Sequence, residues 1–414
     1  MILSINTMWL IPIYFIIIIL MVYLIAAIVY LLILAGAYFI VPEPKRVDKD
    51  IKNRFAILIP AHNEELLISR LCKSLLEIKY PPDFYEIFVI ADNCSDRTAD
   101  IVRTYPIIVL TRNDTTHTGK GYAIEWALSQ IQLNKYDAVL IIDADNIVDQ
   151  NILKELNHMI GQGEQAIQCH NAVGNRKDSW FTQLLFVTRT IGNVLYHHSK
   201  YKLGLSSYLM GNGICFSTKL LERKKWTAFS VGEDWEYYAQ LIADRIKIGF
   251  AIKAIVYHQE SRSLKQATSQ RLRWSSGRFQ VLRLYGLRLF KDGLLKKDFL
   301  KLDASLPLIF PNYSLQINLT ILYLILIILF TNSGVRNILI TIGICLIIGQ
   351  VLLFVAGIYL SKSYKEIFKA ILYAPFFLIW KAIIDLLSLT KVYRGNKWIR
   401  TKRHISTDIE KPFS

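Results

Sequence analysis

The first 42 residues of this chain contain no charged side chain, and this feature most constrains what the chain can become. The stretch from Trp9 to Val41 is apolar for longer than the roughly 20 residues that a helix needs to cross a bilayer. A secretory signal would begin with basic residues and have a shorter apolar core, and this stretch has neither. We therefore expect residues 1–42 to form an N-terminal transmembrane anchor.

Basic residues follow the anchor closely, namely Lys45, Arg46, Lys49, Lys52 and Arg54. Segments that flank a membrane span and are rich in Lys and Arg stay on the cytoplasmic side. This pattern predicts an integral protein of the inner or plasma membrane of the cell, with the domain of residues 43–290 in the cytoplasm.

A second membrane block begins near residue 313. The stretches Tyr313–Phe330 and Ile338–Leu360 are each long enough to span, and the polar link of residues 331–334 is typical of a tight turn. We predict a transmembrane hairpin over residues 313–360, which gives three spans in total.

Two further regions border that hairpin. Residues 291–312 mix basic with apolar side chains, and the stretch Phe368–Leu389 is interrupted by charged residues and by Pro375. If this stretch crossed the membrane, the basic tail after it would be exported, against the charge rule. We therefore expect residues 291–312 and 361–414 to contain interfacial helices, the second followed by a basic cytoplasmic tail.

The net charge of +16 suggests a nucleic-acid function at first, but the basic residues cluster beside apolar segments. That arrangement is typical of helices that rest on anionic lipid, and no nucleic-acid-binding motif accompanies it. Membrane lipids are thus the expected partner, and nucleic acid is not. The five cysteines contain no CxxC pair, so the sequence predicts neither a disulfide framework nor a zinc site.

Between the membrane blocks, short apolar strands alternate with amphipathic helices. The strands include FAILIPA from residue 55, YEIFVIAD from residue 85 and AVLIIDAD from residue 138. Such alternation predicts an α/β fold with a parallel sheet, helices on both faces, and ligands beyond the carboxyl ends of the strands. Polar clusters at His62, Asp92 and Asp143 fall at such ends.

Asp143 and Asp145 follow an apolar strand and are one residue apart. In an extended segment their side chains point the same way, so a cation or a proton must relieve their repulsion. Hard oxygen ligands favour Mg²⁺ or Mn²⁺, which also bind diphosphate oxygens. The alternative is that Asp145 caps the helix predicted from residue 148, and the two aspartates alone do not decide between these readings.

Seven motifs together resemble those of membrane-integrated family 2 glycosyltransferases, such as cellulose, hyaluronan and poly-N-acetylglucosamine synthases and ceramide glucosyltransferase. They occur in the same order and at similar spacing: ILIPAHNEE (57–65), ADNCSDRTADI (91–101), HTGKGYAIEWAL (117–128), DADN (143–146), GNGICFS (211–217), GEDWEYY (232–238) and QRLRW (270–274). The resemblance implies a GT-A, Rossmann-like domain and a nucleotide-sugar donor, with UDP as the expected nucleotide.

The resemblance also implies roles for individual residues at the donor. Asn63, Glu64 and Asp92 match contacts to the uridine, and Lys120 matches the lysine of a glycine-flanked loop near the nucleotide. Asp143, with Asp145, matches the pair that binds the metal bridging the diphosphate. Without the family, Glu64 and Lys120 would be read as helix-terminal or surface residues.

The motif SVGEDWEYY contains two adjacent acids at the start of a predicted helix. Their simplest role is an N-cap followed by a first-turn carboxylate. In the family this motif usually reads Thr-Glu-Asp, and its aspartate is the general base, which corresponds to Asp234, with Glu233 as the fallback. Gly232 stands here where threonine is common.

In QRLRW, helical spacing places Gln270, Arg273 and Trp274 on one face and turns Arg271 aside. A guanidinium suits a diphosphate leaving group, and an indole offers an apolar wall to a sugar ring. The alternative is an interfacial helix that contacts lipid phosphate. His258 is a candidate for a further metal contact, although a structural role is the simpler interpretation.

These parts predict an inverting, metal-dependent transfer of a hexose to a hydroxyl, with β-linkage. The acceptor stays open between a growing polysaccharide, extended with partner subunits or by a homo-oligomer, and a lipid that receives a single sugar. A membrane scaffold or nucleotide-binding module without turnover is the non-enzymatic alternative.

Overall fold

The computed structural model describes residues 10–44, 52–310 and 312–390. The basic residues Lys45, Arg46 and Lys49 and the basic tail beyond residue 390 lie outside the described residues.

An eight-stranded sheet forms the centre of the domain between the apolar helices. Its strands lie in the order β3-β2-β1-β4-β7-β6-β8-β5. They comprise β1 (Phe55–Ala61), β2 (Tyr85–Asp92), β3 (Ile108–Arg112), β4 (Ala138–Ile141), β5 (Ile147–Val148), β6 (Ala166–Val173), β7 (Ile214–Ser217) and β8 (Gly249–His258). The predicted α/β class is confirmed. The first four strands are parallel as expected, but β7 is antiparallel to both β4 and β6, so the whole sheet is mixed.

Helices cover both faces of this sheet, as predicted. In chain order they are α1 (Leu10–Ile40), α2 (Ile68–Leu76), α3 (Thr98–Arg103), α4 (Lys120–Gln130), α5 (Ile152–Gly161), α6 (Trp180–Thr190), α7 (Ser199–Lys202), α8 (Thr218–Arg223), α9 (Glu233–Ala243), α10 (Leu264–Val281), α11 (Leu287–Leu295), α12 (Phe299–Ile309), α13 (Tyr313–Phe330), α14 (Ser333–Ser361), α15 (Tyr364–Ile371) and α16 (Ala374–Thr390). Two π-helical segments, Ile191–His198 and Leu282–Gly286, follow α6 and α10 directly.

The apolar strand β1 shows how the sequence builds two cores at once. Successive side chains of a strand point to opposite faces. Ala56 and Leu58 therefore join the cluster that α4 and α9 complete, whereas Ile57 and Ile59 join the cluster that α2 and α5 complete. A strand with both faces covered has to be apolar throughout, which explains the uninterrupted run in the sequence.

The parallel register of the first strands brings polar residues to one edge. Ala61 at the end of β1 pairs with Ala91 of β2, and Asp92 pairs with Arg112 at the end of β3. Because these strands run in the same direction as β4, the loops that follow them meet at the carboxyl edge of the sheet. This edge carries the polar end of the candidate site.

Within the described residues, three helices, α1, α13 and α14, are long and apolar enough to cross a membrane. The stretch predicted as one interfacial helix is instead two helices, α15 and α16, bent by 66°, so the count rises to four if this pair is one broken span. Pro375 lies in the first turn of α16, where a missing N–H leaves no hydrogen bond unmade.

The region of residues 291–312 contacts the sheet domain as well as exposing apolar surface. In α12, Ala304 and Leu308 are fully buried in the core that includes α4 and α9. In α11, Leu287 and Leu294 are largely exposed, as an interfacial helix would require.

Candidate active site

A cavity of about 1200 Å³ lies between the carboxyl edge of the sheet and the apolar helices. Its polar end is lined by the loops that follow β1, β2 and β4 and by the first turn of α9. Every site residue predicted from the sequence except Asn63 lines this one cavity: Glu64, Asp92, Lys120, Asp143, Asp145, Glu233, Asp234, Gln270, Arg273 and Trp274.

The two aspartates lie in the turn after β4 rather than on the strand, which ends at Ile141. Asp143 and Asp145 are half-buried and both line the cavity. The alternative that Asp145 caps the next helix is wrong, because α5 begins at Ile152 and its N-cap residue is Asn151.

The residues at this turn suit a divalent cation that also binds ligand oxygens. The described residues contain no group of three His, Cys, Asp or Glu side chains that could hold a metal by themselves. Two carboxylates and the adjacent Asn146 remain, and the amide oxygen and nitrogen of Asn146 are buried without a hydrogen-bond partner in the described structure. This set offers hard oxygen donors and leaves positions for a diphosphate, which is the coordination that Mg²⁺ and Mn²⁺ prefer.

Lys120 joins the aspartate turn to the first turn of α9. Its Nζ lies 2.5 Å from Asp143 Oδ1 and 3.8 Å from Glu233 Oε1, and it also donates to the carbonyl of Gly211. Burial by itself would lower the pKa of Lys120, but the carboxylates of Asp143 and Glu233 outweigh burial and raise this pKa. The ammonium therefore stays charged at neutral pH and offsets part of the acidic charge here.

Asp234 has the electrostatics that a general base at neutral pH requires. Burial, together with the neighbouring negative charge of Glu233, raises the pKa of Asp234 to about 7. Gly211, with φ of +77°, passes so close that a Cβ there would lie 3.1 Å from Asp234 Oδ2. Only glycine adopts this backbone conformation at little cost, so the loop can run beside the carboxylate.

Gly232, which precedes the two acids of the GEDWEYY motif, lies against Gly277 of α10. A Cβ on Gly232 would lie 3.1 Å from the carbonyl carbon of Gly277, and a Cβ on Gly277 would lie 3.1 Å from Gly232 Cα. The start of α9, which carries the two acids, therefore rests directly on the helix that carries Gln270 and Arg273.

Asp92 is held by an arginine that the sequence interpretation missed. Arg112 Nη1 lies 2.7 Å from Asp92 Oδ1, and Asn93 donates to the same oxygen. Burial raises the pKa of Asp92, and the Arg112 guanidinium opposes that rise. His62 Nδ1 lies 2.7 Å from the backbone oxygen of Asp92, so the ends of β1 and β2 are tied together. The alignment of Arg112 with Asp92 follows from strand pairing and has no motif in the sequence.

Glu64 and Asn63 are placed differently by the loop after β1. Glu64 is buried and lines the cavity, and its backbone N–H donates to Thr98 Oγ1. Asn63 has φ of +56°, and its amide oxygen accepts hydrogen bonds from the backbone of Ser95 and Asp96. The structure thus has Asn63 joining two loops outside the cavity wall, and its contact with a nucleotide stays a prediction.

The helix α10 presents Gln270, Arg273 and Trp274 to the cavity, as its spacing predicts. Gln270 Oε1 is buried without a hydrogen-bond partner in the described structure, so it is available to a ligand. The expectation that Arg271 turns aside is wrong, because Arg271 also lines the cavity and its guanidinium lies 4.5 Å from the Trp274 ring centroid.

Glu260 holds Arg271 in that position. Its carboxylate lies 2.6 Å from Arg271 Nη2, 3.5 Å from Arg189 Nη2 and 3.1 Å from His258 Nε2. Burial opposes ionisation, but the Arg271 guanidinium and the other neighbours hold the pKa of Glu260 well below its usual range. Pairing of His258 with Glu260 agrees with the structural role favoured from the sequence, and a metal contact by His258 is a prediction that stays untested.

An aromatic wall borders the polar end of the cavity. The rings of Tyr208 and Trp235 stack at 4.5 Å between centroids and 21° between planes, and both line the cavity. Trp235 directly follows Asp234 in the acidic motif, so the motif could have indicated a role for Trp235. No pattern in the sequence around Tyr208 predicts that its ring stacks on Trp235. Flat apolar surfaces of this kind suit the face of a sugar ring.

The far end of the cavity is apolar and lies among the candidate membrane helices. Its wall includes Leu31 of α1, Ile317 and Ile321 of α13, Val351 and Phe354 of α14, and Phe377 and Leu378 of α16. One continuous space therefore connects the acidic turn with surface that lipid could reach.

Comparison with known protein families gives one match over the domain that holds this site. The family described as Glycosyltransferase like family 2 matches residues 53–277.

Among curated proteins, the probable glycosyltransferase YdaM of Bacillus subtilis is 26% identical over 247 residues, covering 58% of this chain and 58% of YdaM. The beta-monoglucosyldiacylglycerol synthase of Nostoc sp. is 25% identical over 248 residues, covering 58% of this chain and 52% of the synthase. The chain therefore spans little more than half of the length of these relatives.

Among solved structures, the mannosyltransferase PcManGT of Pyrobaculum calidifontis, in complex with GDP-Man and Mn²⁺, superposes with a TM-score of 0.62 at 19% identity. The match covers 90% of this chain and 99% of that protein. At this identity the likeness establishes the fold alone.

Proposed function

The chain belongs to glycosyltransferase-like family 2, whose members use nucleotide sugars, and we propose that it transfers one sugar from a UDP-sugar to a hydroxyl of a membrane lipid. The catalytic domain would lie at the cytoplasmic surface of the membrane. Transfer would proceed with inversion and give a β-linkage.

The observation that carries this proposal is the continuity of the cavity. Its acidic end holds Asp143, Asp145 and Asp234, and its other end is lined by apolar side chains such as Ile317 and Phe354. A polysaccharide would need a polar, hydroxyl-matched lining over its length, whereas an acyl or prenyl chain suits an apolar one. The Nostoc relative is named as a synthase of a glycosylated diacylglycerol, which agrees with a lipid acceptor.

The chain's own residues supply the acid–base chemistry and the electrostatics. Asp234, with a pKa raised to about 7, would take the proton from the acceptor hydroxyl as that oxygen attacks the anomeric carbon. The bond to the departing nucleotide diphosphate would break on the opposite face of the sugar. Lys120 and Arg273 would stabilise the charge that develops on the diphosphate.

Asp143 and Asp145 would hold a divalent ion, Mg²⁺ or Mn²⁺, with Asn146 beside them. When bound, such an ion acts as a Lewis acid on diphosphate oxygens. The solved structure of PcManGT contains Mn²⁺ with its nucleotide sugar, which agrees with this assignment.

Binding of the donor would engage the loops at the carboxyl edge. Asp92, fixed by Arg112, and Glu64 line the end of the cavity that the uridine would occupy, and Gln270 has a free buried acceptor oxygen toward the cavity. The stacked rings of Tyr208 and Trp235 would support the transferred sugar.

Product analysis tests the proposal. Full-length protein in phosphatidylcholine vesicles would receive radiolabelled UDP-glucose, UDP-N-acetylglucosamine, UDP-galactose or GDP-mannose with Mg²⁺ or Mn²⁺ and a lipid that carries a free hydroxyl. We expect a single labelled lipid that is one sugar heavier. A ladder of polymer products would show that the acceptor is a growing polysaccharide and not a lipid. Absence of nucleotide release with every donor would overturn the enzyme assignment.

A further inference from the structure

Arg278 lines the cavity and, in the described structure, does not form an ion pair with a carboxylate. It follows Trp274 by one turn of α10, and its guanidinium donates to the carbonyl of Phe310 at 3.3 Å. In the part of the chain that the structure describes, Arg278 forms no ion pair, and its ring contact is with the adjacent Phe279 at 5.1 Å. A guanidinium kept from bulk water without an anion is costly, which raises the question of what it binds.

The acidic group that attracts Arg278 is already engaged by other residues. Asp385 of α16 attracts Arg278 electrostatically, but it also pairs with Lys381 and accepts a hydrogen bond from Ser275 Oγ at 3.0 Å. Lys381 lines the cavity too. One carboxylate therefore serves two cations at this point.

The same imbalance recurs at Glu260, which pairs with both Arg189 and Arg271. Apart from Arg273, which we assign to the donor's diphosphate, four cations (Arg189, Arg271, Arg278 and Lys381) and two carboxylates (Glu260 and Asp385) lie along this wall, which leaves a surplus of two positive charges. At the opposite end of the cavity the acids dominate. The charge of the cavity wall is thus divided, with an anion-attracting side on α6, α10 and α16.

The donor's diphosphate does not account for Arg278. Arg278 lies five residues after Arg273 on one helix, which corresponds to about 7.5 Å along the axis. Its partner Phe310 packs against Tyr23 and Tyr30 of α1, and Phe310 and Tyr30 both line the cavity. Arg278 therefore lies on the part of the cavity wall that faces the apolar helix α1.

We propose that Arg278 and Lys381 bind an acidic group, a phosphate, in the headgroup of the lipid acceptor. This inference rests on the proposed function and narrows it to anionic lipids. A planar guanidinium can make two hydrogen bonds to phosphate oxygens, and the ammonium of Lys381 adds a point charge beside it. Bound in this way, the headgroup would be fixed on the side of the cavity opposite to Asp143 and Asp145.

The test compares two acceptors that differ in the phosphate. Full-length protein in phosphatidylcholine vesicles would be supplied with phosphatidylglycerol or with diacylglycerol, each of which offers a free primary hydroxyl. We expect kcat/KM for phosphatidylglycerol to exceed that for diacylglycerol by about tenfold to a hundredfold, the range for a hydrogen bond to a charged group. Arg278→Gln should abolish this advantage by raising KM, while Arg278→Lys should keep part of it.

Arg283→Gln is the matched control. Arg283 lies just beyond α10, is exposed, donates to the carbonyl of Leu389 and does not line the cavity. Removal of its charge should leave the preference between the two lipids unchanged. Equal loss of preference in Arg278→Gln and Arg283→Gln would overturn the assignment of the site to Arg278.

A second measurement keeps the proposal testable if Arg278→Gln does not fold. Thermal unfolding of the wild-type protein should shift upward with short-chain phosphatidylglycerol and not with short-chain diacylglycerol, because a ligand that binds the native state stabilises it. Equal shifts with both lipids would contradict the proposal.

Inorganic phosphate, compared with chloride at equal ionic strength, separates a headgroup site from a general phosphate site. We expect it to leave wild-type transfer to phosphatidylglycerol almost unchanged, because free phosphate gains nothing from the apolar end of the cavity. Strong competitive inhibition that Arg278→Gln removes would assign the site to free phosphate and overturn the lipid assignment. If labelled lipid forms without a preference between phosphatidylglycerol and diacylglycerol, this inference alone is overturned. If nucleotide is released but no labelled lipid forms, the proposal of a lipid acceptor is itself overturned.

Discussion

Gly232 and Gly277 meet backbone to backbone, and a Cβ at either position would lie only 3.1 Å from a backbone atom of the other glycine. This contact sets the distance between the acids of α9 and the cavity-facing residues of α10. We expect Gly277→Ala to cost about 1–3 kcal/mol of stability through overpacking and to lower kcat by a factor of the order of ten to a hundred through displacement of reacting groups.

The control for that substitution is Gly36→Ala in α1, where a Cβ would meet nothing within 4 Å. It should leave kcat unchanged and should not lower the unfolding temperature, because alanine is a better helix former than glycine. A Gly277→Ala enzyme with wild-type kcat would show that the spacing of the two helices does not govern the chemistry.

Asp234→Asn should lower kcat about 10²–10⁴-fold, because the amide cannot accept the proton of the acceptor hydroxyl. Binding of the nucleotide, measured by calorimetry, should change little. Asp244→Asn is the matched control, since Asp244 lies at the other end of α9 in an exposed pair with Lys224. Turnover close to wild type in Asp234→Asn would remove the residue from the role of base.

The pH dependence of kcat/KM should show an acid limb with an apparent pKa near 7. Burial, reinforced by Glu233, raises the pKa of Asp234 to about 7, and only the deprotonated form accepts a proton, so the rate rises with pH and then levels. A profile that is flat between pH 5.5 and 8 would contradict this assignment. Rates would be measured at saturating donor and metal.

Two substitutions should move this acid limb in opposite directions. Glu233→Gln removes a negative charge that raises the pKa of Asp234, so the limb should shift to lower pH. Lys120→Met removes a positive charge that lowers the same pKa, so the limb should shift to higher pH, together with a fall in kcat. Shifts in the same direction would show that another group controls the profile.

The raised pKa of Asp234 also predicts an effect on stability. When the pKa of a carboxyl is higher in the folded than in the unfolded state, the folded protein becomes less stable as pH rises from the unfolded pKa, near 4, through the folded pKa, about 7. Asp234→Asn removes this cost and should raise the unfolding temperature above pH 7 but not at pH 4. The comparison would be made by thermal unfolding without nucleotide, and an equal gain at both pH values would contradict the mechanism.

Removal of divalent ions should abolish transfer. We expect EDTA to stop product formation, and Mn²⁺ or Mg²⁺ to restore it. Asp145→Asn should raise the metal concentration needed for half-maximal rate, because one of two carboxylates is lost. Asp149→Asn, in the next loop, is a control, since Asp149 accepts a hydrogen bond from the backbone of Asn151 and does not line the cavity.

Local periodicity predicted much of the fold. Each of β1, β2 and β4 is apolar because both of its faces are covered, and such an apolar run can be recognised in the sequence alone. The antiparallel insertion of β7 beside β4 was not predicted, because strand order depends on long-range pairing that no local pattern encodes. Pro375 predicted a kink in the stretch Phe368–Leu389, and the structure has a 66° bend beside it, but the division into two separate helices, α15 and α16, was not predicted.

The site was predicted where chemistry sits within a motif and missed where it depends on tertiary neighbours. Asp143, Asp234 and Arg273 were found in this way, and the structure gathers them in one cavity. Arg112 was not predicted, because its contact with Asp92 depends on the pairing of two strands. Arg271 was expected to turn away, since ideal helical spacing ignores the pull of Glu260 and the ring of Trp274.

The apolar wall of the cavity, formed partly by Ile321 and Val351, changes what substrate concentration means for such an enzyme. An acceptor that enters sideways from the bilayer is diluted by other lipids, not by buffer. The transfer rate would then depend on the mole fraction of acceptor in the membrane. At a fixed mole fraction, it would not change with the total amount of vesicles. The acceptor would reach the site by diffusion in the plane of the bilayer, and the nucleotide sugar by diffusion through the solution.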